Sequence, residues 1–429
     1  MPAPQASVDK LRERRFGLFV HWGLYALPAR HEWVKKREQL TDEQYQPYFD
    51  HFDPDLYDPR VWAQAARGAG MKYTVLTTKH HEGFCLWDSD LTDYKATKTP
   101  AGRDLLRPFV DAFRAEDLGV GFYHSVIDWH HPHYTVDTMH PRIEDADYRA
   151  RETEPGKRDI AVYRAYLHGQ VEELLTRYGD VDVMWFDFSY PGREAYGLPG
   201  KGREDWDSEA LVKLVRGLQP DVLINNRLDY PGDFTTPEQF QPHTAPTIDG
   251  REVPWEACQT LNGSWGYDRD NLDWKSPDLL VRMLVDSVSK DGNLLLNVGP
   301  TGRGEFDERA LATLEEIGRW TRRNGRAIYG AGRSEFTPPA DARYTQRGNR
   351  LYLHLFAWPF RHVHLPGLAG RVKYAQLLHD ASEVRWREYA GSEDDGNTSL
   401  RGIPAGTVTL DLPIQRPNEL VPVVELFLS

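Results

Sequence analysis

Histidines, carboxylates and aromatic residues cluster where short apolar runs of this 429-residue sequence come to an end. His21 lies near the end of the first run, the pair His80 and His81 follows the second, and Tyr123 lies near the end of the third. Imidazole and phenol groups serve active sites as acids, bases and hydrogen-bonding groups. If these runs are neighbouring strands, their ends bring the groups together, which predicts a catalytic or binding site.

The carboxyl group of Asp187 is the first candidate for a nucleophile or a general base. The run VDVMWFDF, residues 181–188, is apolar apart from Asp182 and Asp187. An ionised carboxylate within such a run is costly to bury unless it is paired or used in chemistry. Alternation along a strand puts Trp185 and Asp187 on the same side. We therefore predict a catalytic role for Asp187, with a structural aspartate bonded to loop amides as the alternative.

A glycosidic bond is cleaved by a pair of carboxyl groups, one of which donates a proton to the leaving oxygen. Glu238, in GDFTTPEQF, and Glu256, in VPWEACQT, both lie in predicted loops after the fifth apolar run. Glu256 stands between Trp255 and Ala257, and apolar neighbours of this kind raise the pKa of a carboxyl group. Position alone leaves both open, and we take Glu238 as the first choice for the acid/base.

The histidines also allow a divalent metal site, because imidazole is a common zinc ligand. His21, His80, His81 and His124 stand at or near successive strand ends. Adjacent residues of a strand point to opposite faces, so His80 and His81 could both be ligands only after a turn of the backbone. We therefore predict no metal and no cofactor, and we expect the histidines to donate hydrogen bonds to substrate hydroxyls. A sugar-binding protein without catalysis is a third hypothesis.

The composition limits the class of protein and its partners. A net charge of -13 disfavours a nucleic-acid partner, because phosphate binding depends on clustered Lys and Arg. No apolar run is long enough to cross a bilayer, and MPAPQASVDKLRERRF carries no secretory signal, so we predict a cytoplasmic protein without a membrane partner. Cys85 and Cys258 are expected to be reduced thiols. The sequence is also compatible with a homo-oligomer, because homo-oligomers are common among soluble enzymes.

Apolar runs alternate with segments of helical periodicity from residue 16 to about residue 330. The predicted strands cover residues 16–23, 71–78, 119–126, 181–188, 221–227 and 292–299. The predicted helices cover residues 58–70, 102–119, 161–179, 208–220 and 276–292. This alternation predicts an α/β fold, a (β/α)8-like TIM barrel over residues 1–333, although an open doubly wound sheet would show the same pattern.

Short alternating runs replace this pattern in the last hundred residues. RLYLHLFAW, TVTLDL and VPVVELFL are separated by segments rich in Gly, Pro and Asp. Such spacing is typical of antiparallel strands. The sequence predicts a C-terminal antiparallel β-sandwich domain over residues 334–429.

Several motifs resemble those of the α-L-fucosidases of glycoside hydrolase family 29. They are, in chain order, RFGLFVHWGLYALPARHEWV, YTVLTTKHHEGFCLWDS, GFYHSVIDWHHP, DVMWFDF, NNR followed by GDFTTPEQ, and TLNGSWGYDR. Their order and spacing match the family across roughly residues 10–330. The combination of HWG, KHHEGF and WFDF is specific to the family.

The resemblance implies an exo-acting, retaining enzyme that removes terminal α-linked L-fucose from oligosaccharides or glycoconjugates without a metal. Asp187 matches the nucleophile, and Glu238 matches the acid/base less closely because the family places that carboxyl in a variable loop. The positions that line the fucose pocket in the family match His21, Glu32, Trp33, His80, His81, Tyr123, Trp185 and Arg227. A retaining mechanism predicts that Asp187 and Glu238 lie about 5–5.5 Å apart.

Overall fold

Helices and strands alternate along the first three quarters of the chain in the computed structural model, which describes residues 2–389, 394–395, 398–399 and 403–429. The α-helices of these ranges are α1 (Gln5–Arg14), α2 (Val34–Arg37), α3 (Asp42–Asp50), α4 (Pro59–Ala69), α5 (Leu106–Ala115), α6 (Ala146–Glu152), α7 (Ile160–Arg177), α8 (Arg203–Trp206), α9 (Ser208–Leu218), α10 (Pro277–Val288) and α11 (Glu308–Asn324). None of the helices in the described ranges is both long and apolar enough to span a membrane.

The strands fall into one parallel group and several antiparallel ones. Before residue 330 they are β1 (Phe16–Val20), β2 (Tyr73–Lys79), β3 (Gly119–Ser125), β4 (Val183–Asp187), β5 (Leu223–Ile224), β6 (Thr247–Ile248), β7 (Arg251–Glu252), β8 (Glu256–Thr260) and β9 (Asn293–Val298). After it they are β10 (Ala342–Arg347), β11 (Arg350–Leu355), β12 (His362–Leu365), β13 (Val372–Leu377), β14 (Arg385–Tyr389), β15 (Asp394–Asp395), β16 (Thr398–Ser399), β17 (Thr407–Asp411) and β18 (Val423–Leu428).

Seven parallel strands form one curled sheet in the order β5-β4-β3-β2-β1-β9-β8. Helices connect most of the strands, as parallel neighbours require, and the predicted α/β fold is confirmed. All six predicted strands and all five predicted helices are present, although β5 is only two residues long. Strand β8 was not predicted, because Glu256 and Gln259 interrupt its apolar residues even though the whole strand is buried.

The two faces of the sheet bury different sets of side chains. The concave face buries a cluster that includes Phe19, Tyr73, Tyr123, Trp185 and Leu295. Their neighbours along the strands pack against the surrounding helices in the larger cluster of the protein. This is the alternation expected of strands that are covered on both faces.

Residues 234–238 lie between the two edge strands of this sheet. Phe234 forms a parallel bridge with Asn225, just after β5, while Thr235 bridges Trp255 and Glu238 bridges Cys258 of β8. Both edges of the sheet therefore contact one short segment. That segment carries Glu238, which therefore lies between β5 and β8 and is fixed by backbone bridges.

The C-terminal part contains a four-stranded sheet, β10-β11-β18-β13, and a three-stranded sheet, β12-β17-β14, both antiparallel. Side chains of both sheets, such as Leu353 and Leu410, share one hydrophobic cluster. The antiparallel strands predicted here are confirmed. Trp320 of α11 donates from Nε1 to the carbonyl of Val421 at 2.7 Å, which ties this part to the helices. Residues 390–393, 396–397 and 400–402 of the predicted domain lie outside the described residues.

Gly17 leaves room for the ring of Tyr73 on the concave face of the sheet. A Cβ atom at Gly17 would lie 2.5 Å from Cζ of Tyr73, a distance that real Cβ contacts do not reach. We expect Gly17→Ala to lower the free energy of unfolding by about 1–3 kcal/mol, the usual cost of overpacking. Urea unfolding measures it. Gly68→Ala is the matched control, because a Cβ atom at this exposed position of α4 meets no atom within 4 Å. Equal free energies of unfolding for the two variants would contradict the prediction.

Glu256 begins β8 and is buried inside the sheet, so its predicted position in a loop was wrong. Tyr73 donates a hydrogen bond from Oη to one carboxyl oxygen, and Trp185 donates from Nε1 to the other at 3.2 Å. Burial raises the pKa of Glu256 from its ordinary value of 4.5 to about 7. The group therefore holds its proton more tightly in the folded than in the unfolded chain.

This raised pKa makes stability depend on pH. Because the folded state binds the proton more tightly, the contribution of Glu256 to the free energy of unfolding falls as pH rises from about 4.5 to about 7, by up to roughly 1.4 kcal/mol per pH unit. In Glu256→Gln that contribution is absent. We expect the unfolding free energy of the variant, minus that of the wild type, to rise across this window in urea titrations. If the difference between the two free energies of unfolding stays constant across this window, the raised pKa does not belong to Glu256.

Candidate active site

The ends of the parallel strands converge on one cavity. Nine of the ten predicted site residues line it, namely His21, Trp33, His80, His81, Tyr123, Trp185, Asp187, Arg227 and Glu238. They come from the ends of β1 to β5, from the segment 234–238 and from the loop after β1. The carboxyl ends of parallel strands meet at one edge of a sheet, which is why residues far apart in sequence share this cavity.

Asp187 ends β4 and is held by two donors. Tyr123 donates from Oη to Oδ2 at 2.8 Å, and Arg227 donates from Nη1 to Oδ1 at 2.9 Å. Burial and the charge of Asp187 raise the pKa of Tyr123 well above its ordinary value, so this phenol keeps its proton. Phe188 follows with a φ of 87°, a left-handed conformation that is strained for an aromatic residue. The chain therefore turns sharply just after the carboxylate.

Arg227 links the two candidate catalytic carboxyl groups. Its Nη1 lies 2.9 Å from Oδ1 of Asp187 and 2.7 Å from Oε2 of Glu238. Since both oxygens contact one atom, they are at most about 5.6 Å apart, close to the spacing of about 5–5.5 Å in retaining glycosidases. The side chain of Asp187 is 12% exposed and that of Glu238 is 39% exposed, so Glu238 lies nearer the mouth.

The guanidinium group of Arg227 is fixed on its other sides as well. Nε donates to Oγ1 of Thr236 at 2.8 Å, Nη2 donates to the Thr236 carbonyl at 3.2 Å, and the group lies 4.5 Å from the ring centroid of Trp185. Burial alone would lower the pKa of Arg227, but the charge of Asp187 outweighs it and raises this pKa. Arg227 is therefore a permanent cation that contacts both acids and is held by Thr236 and Trp185.

His21 and His81 each use Nδ1 to bind a polar residue behind the cavity wall. Nδ1 of His21 lies 2.7 Å from Oδ1 of Asn297, and Nδ1 of His81 lies 2.7 Å from Oγ of Ser125. Burial, together with neighbouring His80, lowers the pKa of His21 to about 3 and that of His81 well below its ordinary value. Both imidazoles are neutral near pH 7.

The other residues of the KHHEGF motif support the turn that carries these histidines. Nδ1 of His80 lies 3.4 Å from the buried carboxylate of Glu82. Lys79 is fully buried and donates from Nζ to Gln170 at 2.9 Å and to Asp128 at 3.3 Å. A buried lysine of this kind is costly without a counter-charge, and Asp128 supplies it. Lys79 therefore fixes the motif from behind and does not line the cavity.

Glu32 is the one predicted site residue that does not line the cavity. Its buried carboxylate accepts hydrogen bonds from the backbone N–H groups of Trp265, at 3.1 Å, and Gly266, at 2.8 Å. Burial acts to raise the pKa of Glu32, but His31 and the N–H of Gly266 outweigh it and hold that pKa at about 2. Glu32 positions the loop of Trp265, whose ring lines the cavity.

Two further candidates lie outside the cavity. Glu256 lies beneath Trp185 inside the sheet, and His124 faces the helices, where its Nδ1 contacts Oγ1 of Thr78 at 3.2 Å. His124 faces the helices whereas Tyr123 faces the cavity, because neighbouring residues of a strand point to opposite faces. Among the residues that the structure describes, no group of three or more His, Cys, Asp or Glu side chains is arranged to hold a metal ion.

Sequence reasoning missed several residues of the site. Phe19, Phe188 and Trp265 complete the cavity lining, while Ser125 and Asn297 bind histidines from behind. Asn297 is a polar residue in the apolar run NLLLNV, so the argument used for Asp187 would have singled it out. Trp265 gave no such signal, because it follows β8 in a loop.

The sequence is similar to those of characterised glycosidases. Residues 3–326 match the family model described as Alpha-L-fucosidase. The chain is 30% identical to the tissue alpha-L-fucosidase of Bos taurus over 381 residues, which cover 81% of this chain and 74% of that protein. It is 29% identical to the plasma alpha-L-fucosidase of Homo sapiens over 384 residues, which cover 81% and 75% of the two chains.

Solved structures of the same class are similar over almost the whole chain. The α-L-fucosidase isoenzyme 1 from Paenibacillus thiaminolyticus is 46% identical, with a TM-score of 0.90 and 99% of both chains covered. An α-L-fucosidase from Bacteroides thetaiotaomicron, trapped as a covalent intermediate in complex with 2-fluoro-fucosyl fluoride, is 27% identical, with a TM-score of 0.83 and 100% and 97% covered. The resemblance predicted from the motifs is confirmed, and the chain belongs to the α-L-fucosidases of glycoside hydrolase family 29.

Proposed function

We propose that this glycoside hydrolase removes terminal α-linked L-fucose from oligosaccharides or glycoconjugates with net retention of configuration. One observation carries the proposal: Asp187 and Glu238 both contact Nη1 of Arg227, which keeps their oxygens within about 5.6 Å of each other. An inverting enzyme keeps its carboxyl groups about 6.5–9.5 Å apart to leave room for a water molecule. The trapped covalent intermediate of the similar Bacteroides enzyme supports the same mechanism.

The first chemical step forms a bond between Asp187 and the sugar. A carboxylate oxygen of Asp187 attacks C1 of fucose while the bond from C1 to the leaving oxygen breaks and Glu238 donates its proton to that oxygen. Glu238 lies nearer the mouth of the cavity, on the side where the leaving group of a terminal sugar must be. Tyr123 and Arg227 hold Asp187 in one orientation for the attack.

The second step releases fucose with the help of the same residues. Glu238 takes a proton from a water molecule, the water oxygen attacks C1, and the bond to Asp187 breaks. While Asp187 is esterified it carries no charge, so Glu238 is the anionic group left in contact with Arg227. The ionised form of Glu238, which contacts Arg227, is the form that acts as a base.

The aromatic lining suits a deoxysugar. Rings of Phe19, Trp33, Trp185, Phe188 and Trp265 surround the polar groups of the cavity. Such rings pack well against the apolar C5 methyl group and ring faces of fucose. The histidines and carboxylates provide the polar contacts to its hydroxyls.

We also propose a finer description of the fold. Residues 1–333 form a (β/α)8-like TIM barrel, in which residues 234–238 act as the eighth strand because they bridge both edges of the parallel sheet. Residues 334–429 form a β-sandwich domain, because the four-stranded and three-stranded sheets share one hydrophobic cluster. The cytoplasmic location, the absence of a metal requirement and the homo-oligomer stay predictions.

Replacement of Asp187 tests the nucleophile. We expect Asp187→Gly to hydrolyse 4-nitrophenyl α-L-fucoside at least about 10³-fold more slowly, since the covalent step is lost. Azide then restores turnover and yields the inverted β-fucosyl azide. Asp182→Gly, the matched control, changes the other acid of the same run, which pairs with Lys10 away from the cavity, and retains activity. Unchanged hydrolysis by Asp187→Gly, or loss of wild-type activity in EDTA, would refute the mechanism.

Replacement of Glu238 tests the acid/base. We expect Glu238→Ala to slow cleavage of a fucosylated disaccharide by about 10²–10⁴-fold but cleavage of an aryl fucoside with an acidic phenol much less, because a good leaving group needs no proton. Azide raises turnover and yields the retained α-fucosyl azide. Glu256→Gln is the comparison, and we expect it to show no such dependence on the leaving group. The reverse pattern would assign the acid/base to Glu256.

A further inference from the structure

The direction of the hydrogen bonds between histidines and sugar is fixed by residues outside the cavity. A neutral imidazole has one nitrogen that donates and one that accepts, so the partner of Nδ1 determines what Nε2 can do. His21 and His81 line the cavity, and their Nε2 atoms have no hydrogen-bond partner among the residues that the structure describes. Nδ1 of His21 contacts Asn297, and Nδ1 of His81 contacts Ser125.

Asn297 presents an acceptor to His21. The side-chain nitrogen of Asn297 donates to the carbonyl of Trp265 at 2.6 Å, and a carbonyl oxygen can only accept. The amide orientation is thereby fixed, and Oδ1 faces Nδ1 of His21 at 2.7 Å. Because Oδ1 cannot donate, Nδ1 of His21 must carry the proton.

Ser125 presents an acceptor to His81 for a similar reason. A serine hydroxyl has one hydrogen, and Ser125 directs it to the carbonyl of Ile127 at 2.7 Å. The oxygen of Ser125 can therefore only accept from Nδ1 of His81, which lies 2.7 Å away. Nδ1 of His81 carries the proton, and its Nε2 presents a lone pair towards the cavity, 3.9 Å from Oδ2 of Asp187.

We propose that Asn297 and Ser125 lock His21 and His81 in the Nδ1–H form, so that both histidines accept hydrogen bonds from two fucose hydroxyls. This reverses the expectation that these histidines donate. Both imidazoles are buried and neutral near pH 7, so a second proton on Nε2 does not restore a donor. The identity of the sugar rests on the proposed function, whereas the position of the ring protons does not.

The consequence is a pocket that selects hydroxyl groups as donors. A fluorine or an ether oxygen at the same ring position can accept but cannot donate. Such a group would face the lone pair of a buried imidazole without forming a hydrogen bond. The analogue would then bind more weakly, because a buried polar group without a hydrogen-bond partner costs free energy. Asn297 and Ser125 are thus positioning residues that determine specificity without touching the sugar.

The ring protons can be observed without substrate by long-range ¹H–¹⁵N NMR of protein labelled with ¹⁵N-histidine. The spectrum distinguishes a protonated from an unprotonated ring nitrogen, and His21→Gln and His81→Gln assign the two rings by the loss of their signals. We expect protonated Nδ1 and unprotonated Nε2 in both rings near pH 7. A protonated Nε2 in either ring of the wild type would overturn the proposal, whatever the activity of the enzyme.

Two variants separate positioning from general damage to the fold. Ser125→Ala should change the His81 signals towards a mixture of tautomers and leave the His21 signals in place, while Asn297→Ala should do the reverse. Each unaffected ring shows that the variant is folded. If both rings keep the Nδ1–H form in both variants, Asn297 and Ser125 do not set the tautomers and the proposal is wrong.

Binding of L-fucose analogues tests the consequence. L-Fucose, its 2-, 3- and 4-deoxy forms and the matching deoxyfluoro forms are compared as competitive inhibitors of the wild type. At two of the three positions we expect the fluorinated sugar to bind as weakly as the deoxy sugar, roughly tenfold more weakly than L-fucose. Fluorinated sugars that keep the affinity of L-fucose at two or more positions would contradict acceptance by the histidines. If L-fucose itself does not bind, the proposed function fails and the NMR result still decides the tautomers.

Discussion

A single guanidinium group, that of Arg227, has two carboxylates on one nitrogen, and much of the site is arranged around this contact. Two acids this close repel each other unless a cation lies between them. Arg227 can serve both because Thr236 and the ring of Trp185 fix its plane. Trp185 is held in turn by Glu256, deep inside the sheet. The geometry of the reacting groups thus depends in part on Thr236 and Glu256, which do not line the cavity.

Buried charge behind the cavity is paired with opposite charge, as it is within the cavity. Lys79 and Asp128 are buried together, with Nζ of Lys79 3.3 Å from Oδ2 of Asp128. Removing one member of such a pair leaves an uncompensated buried charge, which is strongly destabilising. The KHHEGF motif therefore combines two tasks, since its histidines line the cavity while its lysine fixes the motif from behind through Asp128 and Gln170. A sequence motif of this kind reflects folding and function together.

The sequence predicted the residues at strand ends well, because parallel strands bring their carboxyl ends to one edge and a polar group in an apolar run is easily seen. Asp187 and the pair His80 and His81 are examples. It failed for β8, whose buried Glu256 and Gln259 look like loop residues. It also placed Glu32 in the pocket with its neighbour Trp33, although the carboxylate of Glu32 binds the backbone of Trp265 and Gly266 and does not line the cavity. Hydrogen-bond direction depends on partners from other strands, so no local pattern could reveal it.

The concave side of the sheet is filled with side chains beneath the cavity. Tyr73, Glu256 and Trp185 occupy the space below it, and Glu238 stands near the mouth. In the proposed mechanism, the leaving group departs on the side of Glu238, and the water molecule of the second step enters the space that it vacates. In that mechanism, an alcohol that fits the vacated space would compete with water for the fucosyl group, and the cavity would then form a new fucoside.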